Sequence, residues 1–443
     1  MVIWTIFIFY LVILIIIGLN RGFGKNIISF LVNLVDCFIA FIISRIAVNT
    51  LVDKIGSKII SNINSEYALE IDNWQVIENF IHFTLSIIIG LAFFYLFYLI
   101  FLIISLFVKH LFLYKKFEKI KFDNKIATIV VSVFSATLTF VILFTPFGML
   151  INSFAKIPEI GNGKKALFTS ELFFDLVTEM PNNENKIKTS KELNYSLNSY
   201  VAAINIVNNI NQDKDNVKIF KNNFKKSYFL PTVISEFGSA AAKQWKEGKE
   251  FGGSQIEIPR GREGKLIIGF LEIVEKWDKD AVVNDVNTIL DISKIMTDYG
   301  TDKLQEEDGL IKSLTDEKYL EDIFVELYGN NDFGQMIPVI AEYGLGTVFD
   351  TINIELNEEY SSKIDVTKMS KEEVKKEANI ISNIVKVALE VKEESQNNNG
   401  EISRKNMDKL INEVSKLQES KVLADITNEL IDQLNNNVDA SGV

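Results

Sequence analysis

One cysteine and two histidines are all that this 443-residue chain carries of the side chains most used for nucleophilic and metal chemistry. Cys37 lies in an apolar stretch, and His82 and His110 both come early. From Pro158 onward there is neither cysteine nor histidine. That excludes Ser-His-Asp and Cys-His nucleophile systems, His-ligated and thiolate zinc sites, and any disulfide within that part. Strand-like alternation is almost absent too, the exception being Gln255–Ile258 with Ile256 and Ile258. No Lys or Arg precedes the first apolar stretch, so it lacks the basic start of a cleavable signal and is expected to remain as a span.

What is present is four long apolar stretches, Val2–Leu19, Ile27–Val48, Phe80–Val108 and Ile126–Phe147. Each approaches or exceeds the roughly 20 residues a helix needs to cross a bilayer. The 286 residues from Pro158 to Val443 hold nothing comparable. The expected fold is all-α: four transmembrane helices (1–150) followed by a large, mainly helical extracytoplasmic domain (158–443). Residues 1–157 carry a net charge of +4 and the remainder −16. So acidic a domain is a poor partner for nucleic acid, whose phosphates call for Lys and Arg. The loop between stretches 1 and 2 holds Arg21 and Lys25 without an acid, and that between 3 and 4 holds Lys109, Lys115, Lys116, Lys119, Lys121 and Lys125 against Glu118 and Asp123. Basic loops stay cytoplasmic, which puts both termini and the acidic domain outside a cell membrane.

Within the apolar stretches, polar residues fall on faces. Ser29, Asn33, Asp36, Ala40 and Ser44 recur at helical spacing in the second, and Thr128, Ser132, Ser135 and Thr139 in the fourth. Small and hydroxylated stripes let helices approach in lipid, so pairing of the second and fourth stretches is expected, with the first and third turned mostly to lipid. Asp36 has two readings. An intramembrane carboxylate marks a functional site by default, here a proton or cation relay with Asn33. The plainer and favoured reading is a buried, hydrogen-bonded packing residue, because no charged partner is visible at mid-depth in another stretch. Leu51, Ile55, Ile59 and Ile63 outline an amphipathic helix suited to the outer leaflet, and Leu113, Phe117 and Ile120 a shorter one on the inner leaflet.

A first stretch ending in Arg21-Gly22-Phe23, a polar-faced second, a long third, and a basic loop leading through Asp123 into a small-residue fourth resemble the colicin V production protein family, over roughly Met1 to Leu150. Ala127 stands near a position where that family favours glycine, and Phe134-Ser135 near its Arg-Gly pair. The resemblance implies a bacterial inner-membrane protein linked to toxin production or export and to envelope maintenance, and carries no chemistry with it.

Beyond Pro158, helical periodicity marks Tyr200–Ile210, Lys265–Trp277, Val282–Met296, Glu373–Val391, Met407–Leu417 and Leu423–Leu434. There is a weak internal repeat, near 195–240, 283–330 and 375–434. Asn287–Ile295 resembles Asn379–Val387, and Leu320-Glu321-Asp322-Ile323 resembles Leu423-Ala424-Asp425-Ile426 with an earlier echo at Leu230-Pro231-Thr232-Val233, at offsets of 92, 103 and 90 residues. This suggests two or three copies of a small helical module.

Catalytic and cofactor motifs are not found in the sequence. Gly261-Arg262-Glu263-Gly264-Lys265 lacks the spacing and hydroxyl of a phosphate loop and reads as a polar turn before a helix. The loop from Ser395 to Asn406 lacks the carboxylates of a calcium loop. Acid runs such as Glu306-Glu307-Asp308 are what a domain this acidic shows on solvated faces. The leading functional expectation is a non-enzymatic membrane protein, without cofactor or metal, whose partners are the lipid bilayer, an envelope or secretion protein and further copies of itself. The runner-up is a small oligomeric transporter or channel using Asn33 and Asp36, and an extracytoplasmic hydrolase comes third.

Overall fold

The computed structural model describes residues 2–67, 69–114, 125–154, 189–208, 214–306, 309–352, 354, 366–397, 402–424 and 427–440. Among them every regular element is helical, and the extended backbone pairs in one isolated bridge, Phe251 with Ser254. Gln255–Ile258, expected as a strand, follows that bridge as irregular chain. Alternation over four residues cannot hold a strand without a neighbour to complete its ladder, and Ile258 instead packs beside Leu271 and Val274.

The described chain forms two units. The first comprises 1–68, 73–205 and 218–233, and the second 69–72, 206–217 and 234–443. The boundary therefore falls later than the expected one near residue 158. The reason is visible at Phe229, whose ring lies 5.9 Å from Phe80 and 5.0 Å from Phe83. Aromatic contacts distant in sequence hold this segment to the first unit.

The first unit begins with α1 (Val2–Arg21), α2 (Phe23–Tyr67), α3 (Trp74–Val108) and α4 (Lys125–Phe154). Two helical segments, Phe23–Ser65 and Trp74–Leu111, are long and apolar enough to cross a membrane, and Ile8–Arg21 and Lys125–Phe140 are shorter apolar helices. Gly22 alone separates α1 from α2, at φ +79°, a conformation that costs an L-residue with a Cβ about 1–2 kcal/mol. Asn26 Nδ2 donates to Ser132 Oγ (2.6 Å) and Tyr10 meets Phe140 (ring centroids 6.5 Å apart), so α1 runs antiparallel to α4 and α2 parallel to it. Ser44 Oγ donates to the Gly90 carbonyl (2.7 Å) and Tyr95 Oη to that of Ile142 (2.7 Å), which sets α3 antiparallel to both α2 and α4.

At 45 residues α2 is about 67 Å long, more than twice the roughly 30 Å hydrocarbon thickness. The amphipathic segment at Leu51–Ile63, expected as a separate surface helix, is the continuation of α2. At its start α3 packs against it, where Val48, Leu51 and Val52 meet Ile89 and Leu85, while Ile55 is exposed. Large apolar side chains are exposed from Leu31 to Ile46 on α2 and from Ile88 on α3 to Leu111 just past its end. Further along α2 the exposed residues are mostly polar (Asp53, Lys54, Ser57 and Lys58), with Ile55 among them.

Also in this unit lie the start of α5 (Thr189–Asn208), most of α6 (Lys214–Phe224) and the first turn of α7 (Phe229–Lys246). The second unit continues with α8 (Arg262–Glu275), α9 (Lys279–Tyr299), the short α10 (Thr301–Leu304) and α11 (Gly309–Ser313), and α12 (Glu317–Tyr328). Next come α13 (Asn331–Gly334), α14 (Met336–Asp350), α15 (Lys371–Asn397), α16 (Arg404–Ser415) and α17 (Thr427–Ala440). The central helix is α15: Val374, Ala378, Ile381, Val385, Ala388 and Val391 repeat at three and four residues and are buried against α12, α14 and α16. Phe324, Ile337, Phe349, Leu410 and Leu434 complete this core.

The segment between α2 and α3 also contributes to the second unit. Glu70 is 3.4 Å from Lys249, and Asp72 is 4.0 Å from Lys243. The repeat stretches Asn287–Ile295 and Asn379–Val387 lie in the long helices α9 and α15. Leu320–Ile323 lies inside α12, whereas Leu423 and Ala424 precede α17, and Asp425 and Ile426 fall outside the described residues.

Candidate functional site

The polar residues of α2 converge on α3. Asn33 and Asp36 are three apart, and Ser105 and Lys109 four apart, so each pair shares one helix face. Ser105 Oγ donates to Asp36 Oδ1 at 2.7 Å, and Lys109 Nζ donates to Asn33 Oδ1 at 2.8 Å. Asp36 is 5% exposed, Ser105 7% and Lys109 3%. Lys109 and Asp36 also act on one another electrostatically. A lone ionised side chain taken out of water is costly, so an acid and a base facing each other across one seam is the arrangement that lets both stay buried.

The backbone widens here. α3 passes into a π-helical turn, Lys109–Leu113, in which the Tyr114 N–H reaches the Lys109 carbonyl. Such turns occur frequently at functional sites. Two polar atoms at the seam have no hydrogen-bond partner among the described residues, Asp36 Oδ2 and Tyr98 Oη. Tyr98 is fully buried between Ala40, Phe94 and Ile142, and is an electrostatic neighbour of Asp36 and Cys37.

The expected pairing of polar stripes is corrected by this geometry. The α2 stripe faces α3 through Asn33, Asp36, Ala40 and Ser44, while the α4 stripe serves α1 and the first turn of α2. Ser132 sits where a Cβ on Gly18 would come within 1.9 Å of its Oγ, and Asn26 donates to it and to the Thr128 carbonyl. Ser135 accepts at its carbonyl from Thr139 Oγ1 within α4. α3 is therefore the partner of the α2 stripe along this face, while its other side chains, from Ile88 to Val108, are largely exposed. Hydropathy concealed this: Ser86, Gly90, Phe94, Tyr98, Ser105 and Lys109 fall on one face, but the Phe and Leu around them dominate any average. Lys109, counted as a loop lysine, is the charged partner of Asp36 that sequence reasoning missed.

Among the resemblance residues, Arg21-Gly22-Phe23 forms the one-residue turn between α1 and α2. Asp123 lies outside the described residues, as do Phe117 and Ile120. His82 Nδ1 stands 3.6 Å from Asp53, away from the seam on the polar extension of the α2–α3 pair.

In the second unit, Gly261–Lys265 is a turn entering α8, with its side chains turned inward. Arg262 Nη2 donates to both oxygens of Asp350 (2.9 and 2.8 Å), and Lys265 Nζ to Glu342 (2.7 Å). At the other loop of interest, Glu394 accepts from Ser403 and Asn406, tying the start of α16 to α15, while 398–401 lie outside the described residues. Glu307 and Asp308 are likewise outside them. Among the described residues no group of three or more His, Cys, Asp or Glu is placed to hold a metal ion.

No protein-family model matches this chain, and neither the curated proteins nor the solved structures offer a match.

Proposed function

We propose that the chain is a non-enzymatic protein of the bacterial cell membrane, crossing it four times, with its N-terminus and its long helical C-terminal part outside. The observation that carries this reading is that α1–α4 are inside out. Their exposed faces are Ile, Leu, Val and Phe, while polar residues meet inside in pairs, Asn26 with Ser132, Asp36 with Ser105 and Lys109 with Asn33. Water would oppose that arrangement and lipid favours it. Four crossings agree with the alternating helix directions. They agree also with the ion pairs of Glu70 and Asp72: residues between α2 and α3 touch residues beyond 234, so an even number of crossings separates the two. Sidedness rests on the lysines that remain in the loop from Lys115 to Lys125 once Lys109 is taken into the bundle.

The second unit, acidic and with its own core, is then a docking module for an envelope or secretion component. The resemblance to colicin V production proteins points to toxin production or export and to envelope maintenance. Cysteine labelling in intact cells tests the topology: a site near Lys116 should resist a membrane-impermeant reagent and one near Asn397 should react. The reverse pattern overturns the reading. A pull-down with the second unit retained in the full chain identifies the partner.

A second reading, a small oligomeric conductance unit using Asn33 and Asp36, is favoured by the seam's π-helical turn and by the unpartnered Asp36 Oδ2 and Tyr98 Oη. Proton flux into vesicles holding the purified protein decides it. Flux that Asp36→Asn abolishes supports conduction, and equal background flux for parent and variant removes it.

A further inference from the structure

Three acids outside the apolar bundle are almost completely buried: Glu192 at 0% exposure, Asp285 at 1% and Glu377 at 2%. They lie on three long helices, α5, α9 and α15, and are 93 and 92 residues apart. Each accepts from the side chain of one polar residue; Glu192 and Glu377 accept from backbone N–H groups as well, and Asp285 from Trp277 Nε1 (2.7 Å). Glu192 accepts from Ser227 Oγ (2.6 Å) and from the Tyr228 and Phe229 N–H groups (2.8 and 3.0 Å). Asp285 accepts from Asn330 Nδ2 (2.7 Å), and Glu377 from Ser420 Oγ (2.5 Å) and the Lys421 N–H (2.6 Å).

The polar residue that donates to the acid has a constant setting. It follows a shorter helix: Ser227 comes after α6, Asn330 after α12, and Ser420 after α16 and its closing turn. Its own N–H bonds back to that preceding segment, at Asn223, Leu327 and Leu417 respectively. The residue three before it is apolar and buried: Phe224, Leu327 and Leu417. Its side-chain oxygen then accepts from the N–H three residues on, at Leu230 (3.1 Å), Phe333 (3.1 Å) and Leu423 (2.8 Å). A third helix follows in every case, namely α7, α13 leading into α14, and α17.

We infer that the chain contains three copies of one helical module, over 189–246, 279–350 and 371–440, each closed by the same latch: a buried carboxylate on the first long helix holding a polar residue whose side-chain oxygen caps the turn that follows it. The sequence carries a trace of the duplication beyond the acids. Val233-Ile234-Ser235-Glu236-Phe237-Gly238 in α7 matches Val339-Ile340-Ala341-Glu342-Tyr343-Gly344 in α14 at four of six positions. Helix-start N–H groups have no partner within their own helix, and a carboxylate is the strongest acceptor a side chain can offer them. The turn that each polar residue caps is therefore positioned by its hydrogen bond to the buried acid. This inference is independent of the membrane function proposed above.

Hydrogen–deuterium exchange on the full chain in lipid nanodiscs tests it, with Glu192→Ala, Asp285→Ala and Glu377→Ala compared with Ser227→Ala, Asn330→Ala and Ser420→Ala. Each acid variant should speed exchange about tenfold or more in its own cap turn (228–230, 332–333 or 421–423), as losing a charge-assisted hydrogen bond implies. The other two turns should keep the parent rate. Each acid–cap double variant should exchange no faster than its acid single variant. If an acid variant opens the whole chain, the cap variants, which remove one hydroxyl or amide, give the same local readout. Response at one turn only, or additive effects of acid and cap, would overturn the inference.

Discussion

Asp36 and Lys109 are best understood together. Each alone is a charge out of place, and facing each other through Ser105 and Asn33 they join α2 to α3. Interhelical hydrogen bonds in membranes average about 0.6 kcal/mol, so Asp36→Asn should lower abundance by no more than about threefold. Lys109→Met should cost more, because it leaves the Asp36 carboxyl buried without its base, and adding Asp36→Asn to it should restore part of the loss. Quantitative immunoblotting of membranes measures all three, and a double variant worse than Lys109→Met would show that the two residues act separately. Outside the bundle, burial pushes the Glu377 carboxyl up, as it does that of Asp285. A carboxyl raised in the folded state takes up a proton there before it does in the unfolded chain. The stability it lends is therefore present at low pH and lost as pH rises through the folded-state value. Glu377→Gln, which cannot titrate, should gain on the parent as the buffer goes from pH 5 to pH 8. Melting curves at the two pH values check this, and a variant that loses ground with rising pH would contradict it.

Among the elements, the α1–α2 turn and the α2–α3 pair decide the most. A single residue at φ +79° reverses the chain between α1 and α2. Gly22→Ala should destabilise the bundle by about 1–2 kcal/mol, and Gly22→Asn by clearly less, because Asn visits the left-handed region more readily. Abundance in the membrane orders the three proteins, and an alanine variant equal to the parent would deny the turn its role. The α2–α3 pair shows a limit of reading by stretches. Leu51, Ile55, Ile59 and Ile63 announce an apolar face, and periodicity alone cannot say whether lipid or another helix covers it. α3 covers its beginning, where Leu51 packs with Leu85 and Ile89, while Ile55 stays exposed.

On the scale of the whole molecule, the two units follow contacts more than the order of the chain. Phe229 belongs with Phe80 and Phe83, while Glu70 and Asp72 belong with Lys249 and Lys243. A fragment starting at Pro158 would leave the Phe229 site without its aromatic partners. One starting at Ile234 keeps the core of α8, α12 and α14–α17. The shorter fragment, Ile234–Val443, should melt cooperatively, be mainly helical and bind less of an apolar-surface dye than Pro158–Val443. Reductant should leave its melting temperature unchanged, since it contains no cysteine. A longer fragment that is equally well packed would place the boundary back near residue 158.

Length, apolarity and period were enough to read the all-helical character and the long apolar helices, because these are local properties written along one element. The helices at Lys265–Trp277, Val282–Met296, Glu373–Val391 and Met407–Leu417 were legible for the same reason, with ends displaced by a few residues where caps such as Asp278 and Ser403 set them. The buried, hydrogen-bonded setting of Asp36 was legible as well, since a carboxylate in an apolar run is conspicuous by itself. Its partner was not. Lys109 sits 73 residues away, at the end of a helix, where its charge reads equally well as a loop lysine. The latch acids were equally hidden, because Glu192, Asp285 and Glu377 look like any other acid in an acidic domain. Only tertiary structure decided which polar groups face each other, since a side chain's partner depends on how helices pack and sequence separation carries no record of it.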